Sequence, residues 1–121
     1  MELYNVKAFA FKTLSSVKAI KCVATTYPDK FTVYPIAVYS TTHSANFRDA
    51  NMQELRTDWK IVIDLFTDQG SLTSIIDELT TLFSAAGFSN TVSEQNLAGV
   101  NRAVITLTGL VDNENHRVFQ K

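Results

Sequence analysis

The chain has 121 residues, 45% of them apolar, with 11 basic and 12 acidic side chains and a formal net charge of −1. This length fits one domain and the apolar fraction excludes a disordered chain. Near-neutrality removes any long-range pull toward nucleic acid or acidic membranes, and it leaves self-association unopposed.

Residues 3–17 read as a helix. Leu3, Val6, Ala10, Leu14 and Val17 recur at spacings of three and four, and Phe9 and Phe11 widen the stripe. Residues 19–26 are short and partly β-branched, and Tyr27-Pro28-Asp29 bounds them, which predicts a strand and a turn. Residues 31–40 predict a second strand. Pro35 has no N–H for a ladder, so an edge position or a bulge is expected there. Residues 42–54 are polar without a clear period and predict a long loop between strands.

The clearest strand is 57–66, where Trp59, Ile61, Ile63 and Leu65 alternate with Asp58, Lys60, Val62 and Asp64. A helix over 72–86 follows, with Ser71 as its expected N-cap. Leu72, Ile75, Ile76, Leu79, Leu82, Phe83 and Ala86 form its apolar stripe. Gly87 is placed for a left-handed cap, with Phe88 folding back on the last turn. A weak strand is predicted over 89–95, a strong one over 102–110, and a short final one over 117–120. The expected fold class is α+β: a two-layer sandwich with a mainly antiparallel sheet of four to five strands and two helices on one face, in one domain over 1–121.

Motifs for chemistry are sparse. Cys22 is the only cysteine, so no intrachain disulfide forms, and its apolar neighbours suit a buried, inert thiol. His43 and His116 lie in polar stretches without the i, i+4 partner of a helical metal site. Asp58 and Asp64 share a strand face but stand about 20 Å apart along it, too far to act on one substrate bond. Asp77 and Glu78 diverge on their helix. A solvated role is expected for all four. The sequence therefore points to no catalytic, metal-binding or cofactor-binding residue and to no enzyme activity.

No apolar stretch approaches the length of roughly 18 residues that a membrane span needs, and the start of the chain lacks a signal-peptide pattern. Lys7, Lys12, Lys18 and Lys21 crowd the first 21 residues against Glu2 alone, as a solvated helix face or as a patch that meets an acidic partner.

The order of short motifs resembles a known group. Tyr27-Pro28 is followed by Tyr34-Pro35-Ile36, then by a polar excursion carrying Arg48-Asp49. After it come Ile61-Val62-Ile63-Asp64-Leu65-Phe66, a helix ending in Ala86-Gly87-Phe88, a late strand and a closing Val118-Phe119-Gln120. Over residues 17–120 this resembles the tail terminator (tail completion, minor tail) proteins of long, non-contractile-tailed bacteriophages. The resemblance implies a hexameric ring on the end of the tail tube, one that stops tube polymerisation and offers a docking surface to a head-completion protein. It implies no reaction and no cofactor, residence in the virion tail, and host cytoplasm during assembly. The only nucleic acid involved is then the genome passing through the ring.

Within this reading, the assembly contacts are expected in the 42–54 excursion. Arg48, Asp49, Glu54 and Arg56 supply alternating charges suited to interface register, and the excursion is expected to order on assembly. The competing readings are a head-closure or adaptor protein of the head–tail joint, and a small oligomeric enzyme or ligand-binding domain with an interfacial pocket.

Overall fold

The computed structural model describes residues 6–26, 34–48, 54–68, 70–97, 99–112 and 117–119. Among them the elements run α1 (Val6–Ser16), β1 (Cys22–Ala24), β2 (Ile36–Arg48), β3 (Glu54–Thr67), α2 (Thr73–Ala85), β4 (Ser89–Leu97), β5 (Val100–Asp112) and β6 (Arg117–Phe119). The strands form one sheet in the order β1-β2-β3-β5-β4, antiparallel except for β1 beside β2. Short β6 pairs with Leu110–Asp112 of β5, just beyond the stretch that β4 occupies. The fold is the expected α+β sandwich.

Side-chain alternation decides which face of the sheet is dry. Ile61, Ile63 and Leu65 of β3 are fully buried, as are Ala103, Ile105 and Leu107 opposite them on β5. Ala37 and Tyr39 continue the same rows on β2. Onto this face pack Val6, Ala10 and Leu14 of α1 and Ile75, Ile76, Leu79 and Phe83 of α2. Both helices therefore cover one face, α1 over β1 and β2, α2 over β4 and β5.

The C-terminal end of α2 closes as the local sequence requires. Gly87 takes φ 104°, a left-handed conformation that glycine adopts without steric cost. Its N–H donates to the Ser84 carbonyl, and the Phe88 N–H reaches back to the Phe83 carbonyl, both at 3.0 Å. This is the Schellman arrangement, in which the residue after glycine also packs on the last turn. The Phe83 and Phe88 rings meet edge to face at 6.0 Å, and Phe9 of α1 joins them at 5.6 Å from Phe83.

Several boundaries differ from the sequence reading. The long loop over 42–54 is not one: 42–48 belong to β2 and 54 to β3, with Thr42 facing Lys60 and Arg48 facing Glu54. Residues 49–53 lie outside the described residues. Polar composition concealed the strand because Thr42, His43 and Ser44 are exposed, so burial imposes no apolar alternation on them. Pro35 directly precedes β2 rather than interrupting it, and its carbonyl accepts the Lys21 N–H at 2.8 Å. The strand expected over 19–26 shrinks to three residues because the turn leaving α1 uses Val17–Ile20, whose Ile20 N–H bonds back to Val17. Helix positions 3–5 and strand positions 31–33 fall outside the described residues.

Two apolar residues of the expected helix stripes are exposed. Phe11 is 50% exposed and Leu82 38% exposed. Each lies on the flank of its helix stripe, which is narrower than the hydrophobic pattern suggests. Ser71 stands one residue before the position of the cap, Leu72, yet its Oγ still accepts the Thr73 N–H at 3.1 Å.

Tyr39 is buried in the sheet, and burial raises its phenol above the ordinary value near 10. A raised folded-state value contributes stability that is complete below the unfolded pKa and lost as pH rises through the folded one. In urea titrations between pH 9 and 11, the wild-type midpoint is expected to fall more steeply than that of Tyr39→Phe. Parallel slopes would contradict this.

Candidate assembly surface

The sheet ends in two different margins. On one side lies β4, whose described residues Asn90 to Asn96 are all exposed. On the other, β1 covers only Ile36–Val38 of β2, so from Tyr39 onward β2 has no outer strand among the described residues. Backbone N–H and C=O groups on such margins are available to another chain.

The β4 margin is braced by a polar chain. Asn96 Nδ2 donates to Asn101 Oδ1 at 2.7 Å, and Asn101 Nδ2 donates to the Gly70 carbonyl at 2.6 Å. These bonds join the β4–β5 turn to the segment leading into α2, beside an open, polar-lined cavity of about 410 Å³ that includes Glu94 and Arg102. At the other end of α2, Asn90 Nδ2 donates to Ser84 Oγ at 3.3 Å.

From Tyr39 onward β2 and β3 continue as an antiparallel pair. His43 stacks on its register partner Trp59, ring centroids 4.5 Å apart. Toward the tip, Arg48 is the register partner of Glu54, and Arg56 is that of Phe47 on one side and of Asp112 on the other. The hairpin thus brings Arg48, Glu54 and Arg56 into one strand pair, with register irregularities on either side of Phe47. Asp49 lies outside the described residues, as does His116.

The helix-free face carries a feature that sequence reasoning missed. Asp64, expected in solvent, is only 5% exposed. Arg102 Nε and one of its terminal nitrogens both donate to Asp64 Oδ1, at 3.3 and 3.1 Å. The Arg102 guanidinium also lies over the Phe66 ring, 5.6 Å from its centroid. Register explains the cluster: Arg102 is directly opposite Phe66, which puts Asp64 on the diagonal. Val38 is directly opposite Asp64, with Ile36 on the adjoining row opposite Phe66, and both are buried on this face. Asp77 and Glu78 are exposed, Asp58 is half-buried, and Cys22 is half-buried at the start of β1 rather than enclosed.

No family model matches this chain, and no curated protein or solved structure matches it either.

Among the described residues no three of His, Cys, Asp and Glu converge to hold a metal ion. No described helix is long and apolar enough to cross a membrane.

Proposed function

We propose that this chain is a structural virion protein that closes the end of a phage tail tube as a ring of identical copies. The ring stops tube polymerisation and presents a docking surface to a head-completion protein. The observation that carries the reading is the pair of unlike margins, open among the described residues, β4 at one end of the strand order and β1–β2 at the other. A closed ring needs two different surfaces on each copy, joined head to tail, and strand margins are natural material for such joints.

Two further features support it. The β2–β3 pair carries Arg48, Glu54 and Arg56 on its strands, charges suited to contact the tube. The motif order set out above resembles that of tail terminators. In this role the protein needs no cofactor, resides in the tail of the virion, and assembles in the host cytoplasm.

Light scattering of the purified protein across concentration, combined with electron micrographs of tail tubes mixed with it, tests the reading. A sixfold mass, or monomers that form rings on tube ends, is the expected result. Binding at the portal side alone would place the protein in the head-closure class instead. A stable dimer that binds a metabolite would refute the assembly role.

A further inference from the structure

Charge is segregated along this nearly neutral chain. Residues 6–26 contain Lys7, Lys12, Lys18 and Lys21 and no carboxylate, whereas residues 71–97 contain Asp77, Glu78 and Glu94 and no cation. The topology carries the two groups to opposite margins, since the first segment forms α1 and β1, and the second forms α2 and β4.

We infer that adjacent copies join with the acidic β4 margin of one against the lysine-bearing β1–β2 margin of the next. The inference rests on the reading that this chain assembles with itself, and it adds which margin meets which. Lys7 borders a small cavity with Thr25, Tyr39 and Thr41, the point where β1 stops and β2 becomes open. Lys21 leads directly into β1. On the other side, Asp77 lies seven residues before Ser84, hence on the same helix stripe, and Ser84 is bonded to Asn90 of β4. Glu94 is opposite Ala103, whose buried side chain faces the helices, so Glu94 stands on the helical side of β4. All four charged groups are exposed.

Height and direction also agree. One row of register partners crosses the sheet from Glu94 through Ala103, Leu65 and Ala37 to Val23. A neighbour displaced sideways therefore brings Glu94 level with β1. Three antiparallel pairings separate β4 from β2, so β4 runs opposite to β2 and to β1 beside it. The two margins then meet antiparallel, the commoner and slightly stronger pairing. A two-fold joint of the lysine margin with itself would set like charges together, which disfavours a closed dimer and leaves the head-to-tail joint.

Two reversal variants test this: Lys7→Glu/Lys21→Glu and Asp77→Lys/Glu94→Lys. Because the altered side chains are exposed, circular dichroism of each variant is expected to match wild type. Each alone is expected to self-associate at least about tenfold more weakly than wild type in sedimentation velocity at low salt. Mixed in equal amounts, they are expected to co-assemble, with each variant cross-linking to the other rather than to itself. Wild-type rings accompanied by reversal variants that assemble equally well would overturn the pairing and leave the ring reading standing. A wild-type protein that stays monomeric, both alone and on tube ends, would overturn both.

Discussion

Phe83→Ala is expected to lower the unfolding free energy by about 3–5 kcal/mol, a large share of the roughly 5–15 kcal/mol that holds a domain of this kind together. Phe83 is fully buried and takes part in three structures at once. It projects from α2 into the core, it touches Phe9 of α1 edge to face, and its carbonyl accepts the Phe88 N–H that ends the helix. Truncation removes this edge-to-face contact between the two helices and leaves a cavity beneath them. The backbone bonds at Gly87 and Phe88 can survive it, so the loss falls on packing. Urea denaturation followed by circular dichroism measures the change. A midpoint within experimental error of wild type would mean that the helical layer does not depend on this ring.

The Asp64–Arg102 pair is expected to show coupling of about 1–2 kcal/mol in a double-mutant cycle. The Asp64 side chain is almost enclosed, while that of Arg102 retains 30% exposure, so the pair lies between a surface bridge and a buried one. Arg102→Met alone is expected to cost about 1–3 kcal/mol, because it withdraws two charge-assisted hydrogen bonds from a carboxylate that remains inside. Adding Asp64→Asn removes that charge and is expected to recover part of the loss. Additive single effects in urea denaturation would show that the two groups do not support each other. The pair also fixes a place on the helix-free face, since Arg102 spans Phe66 and Asp64 on the adjacent strand.

What was legible in the sequence was local or driven by burial. The stop at Gly87-Phe88 is written in two adjacent residues and needs only backbone geometry. The alternation in β3 and β5 reports directly on which side chains the helices cover. Neither signal reaches the middle of β2. There Thr42, His43 and Ser44 are polar and exposed, and a paired strand then reads as a loop. Of the proposed assembly residues, Arg48, Glu54 and Arg56 are accordingly strand residues, set by a register that polarity alone does not reveal.

The sequence by itself determined the α+β class, the sites of both helices, and the central strands, because periodicity and capping act over a few residues. Only the tertiary structure decided that Asp64 is enclosed beside an arginine 38 positions away, and that the lysines of residues 6–26 and the carboxylates of residues 71–97 border opposite sides of one sheet. Both depend on β5 inserting between β3 and β4. That non-consecutive order is selected by how long strands bury their shared apolar face, and no local pattern encodes it.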